Sequence, residues 1–377
     1  MRITIAQGAF LPVPPTHGGA IEKVWFQLGK LFAAKGHDVT HVSRLCDDLT
    51  TEETIDGVRH FRVPGYSTPA SIWKLKFLDL LYSRKVKRAL PEADILITNT
   101  FWLPIILKDL SKGLQYVHVG RFPRGQMRLY KGAARLHAPS SAIAEAIRSE
   151  VPRFADRVRS IPYPLPWKPL ALDKVTVPRD RTILYVGRIA PEKGLDLLLR
   201  AYVALPEELR GKWKLRIIGP SKVSQGGGGR SYLGRLRERA AAVASRVEFQ
   251  GPVFDESKLR AELLRASLFA YPSMAEQGET FGLAPLEAMS CGCPPLVSGL
   301  ACFRDFIEPE KDGFVFDHKA NFPADVLSLK LRNLLESPDK LKKIIEPVLR
   351  KATEFEAPRI ADIYLADFKE LLETNTS

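Results

Sequence analysis

Pro162, Pro164, Pro166 and Pro169 fall within eight residues of a 377-residue chain. Proline has no N–H to give to a helix or a central strand, so this stretch ends whatever precedes it. The same pattern runs on both sides. Before the prolines, β-rich runs at Ile3–Gln7, Val39–Ser43, Val58–Val63, Ile95–Thr98, Gln115–Val119 and Arg135–Ala138 alternate with helical periodicity at Ala20–Lys35, Ile72–Leu90 and Ser140–Glu150. After them, strands at Thr182–Val186, Leu215–Ile218, Val247–Gln250, Leu268–Tyr271, Pro295–Ser298 and Phe314–Phe316 alternate with helices at Gly194–Tyr202, Tyr232–Ala244, Glu256–Ala266 and Leu283–Ser290. Such alternation predicts parallel sheets covered by helices on both faces. The expectation is therefore two Rossmann-like halves, 1–165 and 166–355, joined by a stiff linker and facing across a cleft. Amphipathic helices at Asp325–Glu336, Asp339–Glu354 and Arg359–Glu373 close the chain, and the segment 356–377 is expected to cross back to the first half.

Composition narrows the class. A hydrophobic fraction of 45% suits a folded globular protein. No run of 18 apolar residues occurs, and Met1–Ala6 reads as a strand rather than a leader, so a cytoplasmic enzyme is expected. Four cysteines suit reduced thiols, and Cys291-Gly292-Cys293 lacks the second ligand pair that a zinc site needs. The formal charge of +13 is one-sided, since residues 1–170 carry a net +11 and the remaining 207 a net +2. A basic first half favours an anionic surface, lipid headgroups or nucleic acid, with a basic solvated face serving solubility as the alternative.

Four segments carry chemistry. Pro14-Pro15-Thr16-His17-Gly18-Gly19 leads straight into a helix, where paired glycines let the backbone approach a phosphate at a helix N-terminus. It has neither the Gly-Lys-Ser/Thr of a Walker loop nor the Gly-x-Gly-x-x-Gly fingerprint. Val186-Gly187-Arg188-Ile189-Ala190-Pro191-Glu192-Lys193-Gly194 places two cations about a turn at a helix start, a position that suits a diphosphate. Glu279-Thr280-Phe281-Gly282-Leu283-Ala284-Pro285-Leu286-Glu287 sets two carboxylates eight residues apart around a Phe-Gly turn, where they can accept from sugar and ribose hydroxyls. His118 ends an apolar strand, where bare sequence favours a hydrogen-bonded core histidine. No Asp-x-Asp occurs, the short carboxylate pair that commonly holds a divalent cation. The Gln225–Arg230 stretch, with four consecutive glycines, reads as a loop after a strand.

Together these segments resemble the retaining family 4 of GT-B glycosyltransferases, along almost the whole chain. Glu279 and Glu287 match its E-x7-E signature in "GETFGLAPLEAMSCGCPPLVSG", "VGRIAPEKG" is similar to its diphosphate motif, and "PPTHGGAIEKVWFQLGKLFAAKGHDV" to its first glycine loop and helix. The resemblance implies a donor diphosphate held by Arg188 and Lys193, with Gly187 in the same motif and Gly18 and Gly19 approaching from the other domain. It implies ribose at Glu287, donor sugar at Glu279, and Thr280, Phe281, Gly282 and Leu283 as the turn between them. Gln250 and Val253 are implied beside the nucleobase, and His118 as the residue that orients the donor sugar or the acceptor. It implies a nucleotide-sugar substrate, no metal and no cofactor, and retention of anomeric configuration. The chain departs from the family at Ile161-Pro162-Tyr163-Pro164-Leu165-Pro166 and at Leu300–Asp305.

The acceptor is expected to be a glycan or a lipid-linked sugar in cell-surface polysaccharide or glycolipid synthesis. Ile72–Leu90 carries Lys74, Lys76, Arg84, Lys85, Lys87 and Arg88 against Asp79 alone, with Trp73, Phe77 and Leu80 apolar. That composition suits peripheral attachment to the anionic inner face of a membrane. A second basic stretch runs through Arg121, Arg124, Arg128, Lys131 and Arg135. A nucleotide-sugar epimerase and a non-catalytic sugar-nucleotide binder are the alternatives; no nucleic-acid motif is present.

Overall fold

The computed structural model describes residues 1–16, 19–46, 49–69, 71–174 and 179–376. Two compact units divide the chain, Met1–Pro166 with Phe355–Ser377, and Trp167–Glu354.

The first unit is built on an eight-stranded sheet. Along the chain come β1 (Arg2–Ala6), α1 (Ala20–Ala34), β2 (Asp38–Leu45), β3 (Glu52–Ile55), β4 (Val58–Pro64), α2 (Ile72–Ala89) and β5 (Ile95–Thr98). The short α3 (Leu103–Ile106), β6 (Leu114–His118), β7 (Arg135–Ala138), α4 (Ser141–Glu150) and β8 (Val158–Ser160) follow. The spatial order is β3-β4-β2-β1-β5-β6-β7-β8, parallel except for β3, which pairs antiparallel with β4 at the edge. Strand β5 is buried at every residue, the mark of a parallel strand covered on both faces. The sequence missed β3 and β8, because Glu52–Ile55 and Val158–Ser160 are too short and too polar to show a period.

The second unit repeats the plan with β9 (Asp180–Val186), α5 (Leu195–Val203), α6 (Glu207–Lys212), β10 (Lys214–Ile218), α7 (Gly229–Arg239), β11 (Val247–Gln250), α8 (Glu256–Arg265) and β12 (Ala266–Tyr271). It continues through α9 (Leu283–Ser290), β13 (Pro295–Ser298), β14 (Phe314–Phe316), α10 (Pro323–Leu335), α11 (Pro338–Lys343) and α12 (Ile345–Thr353). Its six strands are all parallel, in the order β11-β10-β9-β12-β13-β14. One helix expected over Asp339–Glu354 is two, parted at Ile344. The helix expected to run to Ala244 stops at Arg239 and passes into a 3-10 turn over Ala241–Arg246.

The final helix, α13 (Ala357–Thr376), packs in the first unit. Asp367 on it is nearly fully buried, accepts from Tyr116 Oη at 2.8 Å and Arg159 Nε at 3.0 Å, and pairs with Arg135 Nη2 at 2.8 Å. Arg135 is thus a buried structural cation, not part of an exposed basic stretch as the sequence pattern suggested. A charge removed from water is kept only where partners replace the water, and here one carboxylate serves two guanidinium groups and a phenol.

Burial also decides the state of four histidines on neighbouring strands. His41 and His60 stack on β2 and β4 with ring centroids 5.3 Å apart, and His118 and His137 on β6 and β7 at 5.0 Å. Burial lowers all four, with the nearby Arg62 charge adding to the effect at His41 and His60; His60 and His137 fall to about 4. The unfolded chain takes up these protons near pH 6.5 and the folded one only at lower pH, so their contribution to stability is complete above pH 6.5 and is lost as pH falls toward 4. Each fully shifted histidine costs about 1.4 kcal/mol per pH unit in that window. Thermal unfolding followed from pH 7.5 to 5.0 should therefore show a falling midpoint below about pH 6.5; a flat profile contradicts the neutral assignment.

Candidate active site

In an open parallel sheet the strand order reverses at one point, and ligands collect at the strand C-termini there. In the second unit the reversal lies between β9 and β12, since β10 and β11 extend one way from β9 and β13 and β14 the other way from β12. The loops leaving these two strands are Gly187–Gly194 and Pro272–Gly282, the segments in which the sequence placed Arg188, Lys193 and Glu279. Topology therefore brings together residues 86 apart in sequence.

Lys193 is 7% exposed and donates from Nζ to Glu279 Oε2 at 2.6 Å and to Tyr271 Oη at 2.9 Å. Glu279 Oε2 also receives the hydroxyls of Tyr271 and Ser273, each at 3.2 Å. Tyr271 is held well above its ordinary value by burial and by the Glu279 charge, so it stays a neutral donor. The two side chains assigned separately to diphosphate and sugar are thus one desolvated ion pair. Arg188 behaves otherwise. It is half-exposed, donates from Nη1 to Gly226 O at 2.5 Å, and pairs through Nη2 with Glu192 at 3.2 Å.

Backbone fit explains the glycines. Gly194 caps α5 at φ 70°, and a Cβ there would drive into the carbonyl of Pro272, on the neighbouring loop. Gly282 caps α9 at φ 87°, where a Cβ would strike the Phe303 ring. The Phe-Gly turn of the signature therefore lets α9 start hard against the Leu300–Asp305 stretch. Phe281 is buried; Thr280, Leu283 and Glu287 are half-buried, with Glu287 one turn farther along α9. Gly187, Gly219 and Gln250 follow one another across the ends of β9, β10 and β11: the Gly187 N–H donates to Ile218 O at 3.0 Å and the Gly219 N–H to Gln250 O at 3.4 Å. Val253 lies half-buried on the loop beyond Gln250.

The first unit holds its own group of candidate residues at the start of α1 and the end of β6. Gly19 caps α1 at φ 100°, and a Cβ there would meet the Glu22 carboxylate. Gly18 and His17 lie outside the described residues. Glu22 is raised from its ordinary value by burial, with Arg121 pulling the other way. His118 ends β6, 3% exposed, with the Trp25 ring edge-on at 5.6 Å. Its Nδ1 lies 2.8 Å from His137 Nδ1 and its Nε2 2.9 Å from Tyr163 Oη. The sequence did not single out Glu22, His137, Tyr163, Tyr271 or Ser273. Glu22 carried a signal, an acid in the first turn after a glycine pair, and Tyr163 sits in the linker that departs from the family pattern. The others are chosen by strand pairing, which one sequence does not display.

Among the described residues no group of three or more His, Cys, Asp and Glu is arranged to hold a metal. Cys291 and Cys293 are buried free thiols that burial pushes up to about 11 and about 12. Among the described residues no helix is long and apolar enough to cross a membrane.

Residues 173–348 match the family model described as Glycosyl transferases group 1. A D-inositol 3-phosphate glycosyltransferase of Catenulispora acidiphila is 30% identical over 213 residues, 54% of this chain and 48% of that protein. The chain spans between a quarter and just under half the length of the curated relatives it matches. Among solved structures, sucrose-phosphate synthase from Thermosynechococcus elongatus superposes with a TM-score of 0.82 at 19% identity, over 99% of each chain. HepE of Anabaena, solved in complex with UDP and glucose, superposes at 0.72 and 17% identity, over 98% of this chain and 100% of that one. These likenesses give the chain the GT-B fold.

The two cations predict stability effects of very different size. Lys193→Ala leaves the Glu279 carboxylate buried without its cation, at a cost of about 3–5 kcal/mol, whereas Arg188→Ala removes a half-exposed pair and should change stability by less than about 0.5 kcal/mol. Urea unfolding of the two variants separates them, and equal midpoints would contradict the buried pair.

Proposed function

We propose that this chain, whose residues 173–348 match the Glycosyl transferases group 1 model, moves a sugar from a nucleoside-diphosphate sugar to a glycan or lipid-linked acceptor. One observation carries the reading. The reversal point of the second sheet collects Arg188, Lys193 and Glu279 at the ends of β9 and β12, inside the segment that matches the family. The donor is read as a UDP-sugar, a reading supported by the fold shared with HepE in its complex with UDP and glucose.

In this reading the acceptor hydroxyl attacks the anomeric carbon as the nucleoside diphosphate leaves, and a donor phosphate oxygen takes its proton. The family resemblance points to retention of configuration. Arg188 and Lys193 offset the charge that grows on the leaving diphosphate, so no metal is needed for that purpose. Arg188 reaches the phosphate by exchanging its Gly226 carbonyl and Glu192 for it. Lys193 stays anchored by Tyr271 while it shares its charge between Glu279 and the donor. Glu287 takes the ribose hydroxyls and Glu279 those of the sugar, with Gln250 and Val253 beside the base.

Arg188→Ala should lower kcat by roughly 100-fold or more while leaving the fold intact, as expected for one oriented charge lost from a transition state. Near-normal turnover in that variant removes Arg188 from the mechanism. Nucleotide choice is read by thermal shift against UDP, GDP, ADP, TDP and their sugars, with and without EDTA. A ligand at 100 times its dissociation constant stabilises by about 2.7 kcal/mol. A UDP-class shift unaffected by EDTA supports the reading; no shift with any nucleotide counts against the donor site.

We also read the chain as cytoplasmic and peripheral on an anionic membrane face. Support comes from α2. Ile72, Trp73 and Phe77 are exposed on it beside Lys74, Arg84, Lys87 and Arg88. Its single acid, Asp79, is turned inward, where it accepts the N–H groups of Phe101 at 3.1 Å and Trp102 at 3.3 Å. The outer face is left with cations and large apolar side chains, the composition of an interfacial helix. Flotation with vesicles containing anionic lipid should recover the wild type at low salt and lose Trp73→Ser/Phe77→Ser; recovery independent of charge, salt and these residues argues against attachment.

A further inference from the structure

The loop from β12 to α9 carries Glu279, and three neighbouring loops of the second unit hold it. Near β12, Ser298 Oγ at the end of β13 donates to Ser273 O at 2.5 Å. The Met274 N–H donates at 2.9 Å to the carbonyl of Glu192, beside Lys193. Farther out the tie is a side chain. Glu276 Oε1 accepts from His318 Nε2 at 2.6 Å and pairs with Lys319 Nζ at 3.0 Å, both on the loop leaving β14. Burial pushes the Glu276 carboxyl up, but its hydrogen bonds to His318 and Lys319 outweigh that and hold it below its ordinary value. It is therefore a carboxylate at neutral pH and only accepts, so His318 Nε2 carries the proton.

The two ends of this tie sit in opposite surroundings. The Glu276 side chain is 47% exposed and that of His318 is 4% exposed. His318 Nδ1 is buried with no hydrogen-bond partner among the described residues. A buried nitrogen left in that state costs about as much as a hydrogen bond to a charged group returns. The histidine thus adds little to the stability of the second unit, and what the bond supplies is placement. That placement reaches Glu279 in one step. The carbonyl of Ala275, next to Glu276, accepts the N–H of Glu279 at 2.9 Å and that of Gly278 at 3.0 Å. Fixing Glu276 fixes this carbonyl, and with it the backbone from which the Glu279 side chain reaches Lys193, Tyr271 and Ser273.

We propose that His318 and Glu276 are positioning residues for the donor sugar: their hydrogen bond holds the loop still while Glu279 turns from Lys193 toward the hydroxyls of the sugar. The proposal rests on the transferase reading and extends it to residues outside the signature. A loop untied beyond Met274 lets the backbone of Glu279 shift with its side chain, so the carboxylate no longer meets the sugar in one fixed direction. The loss falls on the sugar and not on the nucleotide, whose diphosphate and base are assigned to Arg188, Gln250 and Val253. Both residues act through Glu279.

Glu276→Ala cuts the tie at its half-exposed end and His318→Leu at its buried end, while His318→Gln keeps an amide N–H within the reach of Nε2. Affinities of the wild type and the three variants for UDP and for UDP-glucose give the decision. UDP-glucose should bind about 3- to 10-fold more weakly to Glu276→Ala and His318→Leu, the worth of one hydrogen bond. UDP should bind them as it binds the wild type, and His318→Gln should recover most of the loss. Equal changes for the two ligands, no change, or a His318→Gln as weak as His318→Leu overturns the proposal. Hydrogen exchange at the amides of Gly278 and Glu279, which needs no ligand, should quicken by a similar factor in Glu276→Ala and His318→Leu; unchanged exchange also overturns it. If His318→Leu does not fold, Glu276→Ala carries both comparisons. A wild-type chain that binds neither ligand, with exchange quickened in the variants, fails the transferase reading while the tie itself stands, and the role toward a donor sugar is overturned.

Discussion

Parallel pairing is the constraint on which the rest depends. When every strand of a sheet runs the same way, all the connecting loops leave from two edges, and those at the C-terminal edge converge where the strand order turns back. In the second unit that place lies between β9 and β12 and brings together Arg188, Lys193 and Glu279. In the first unit the order turns back between β1 and β5. The loop after β1 there leads into Gly19 and the first turn of α1, and His118 ends β6, one strand beyond β5. The same rule, applied twice, positions both groups of candidate residues.

Charge is handled differently at the two groups. In the second unit a cation and an anion are removed from water together, and three donors converge on Glu279 Oε2. A buried pair of this kind adds little net stability but fixes two side chains that would otherwise sample many rotamers. Arg188, held by a glycine carbonyl and an exposed acid, is the half-exposed member. Around His118, in the first unit, the bonded rings carry no charge. His118 and His137 are neutral, and each link of the hydrogen-bonded run from Tyr163 through these two rings to the Ile161 carbonyl has one donor and one acceptor. α13 reaches this run through Tyr364 and is locked in place by Asp367, so the last residues of the chain support a residue on β6.

Much of this was legible beforehand because local rules produce it. Period and proline placed most strands and helices within a few residues, and the glycines at 194 and 282 sit where a side chain would collide with Pro272 or Phe303. What failed did so for identifiable reasons. Glu52–Ile55 pairs as a strand because β4 offers it an edge, not because of its own apolar pattern. Arg135 looked like one of a basic series and is the buried partner of an acid 232 residues away. Asp79 looked like the one counter-charge on α2 and instead faces inward to hold the start of α3.

The sequence by itself determined the two α/β halves and the break between them, and it singled out Arg188, Lys193, Glu279, Glu287 and Gly19 as candidates, with His118 added by the family resemblance, because periodicity, backbone permissiveness and charge spacing are local properties. Tertiary structure alone decided which of these groups touch. That Lys193 is bonded to Glu279 rather than free, that Arg188 rests on Gly226, and that His118 has both nitrogens engaged by His137 and Tyr163 follows from strand order and burial. Those are long-range properties. A hydrogen bond between residues 45 or 86 apart leaves no periodicity in the chain, and desolvation, which sets the charge of each group, exists only once the sheet has closed over it.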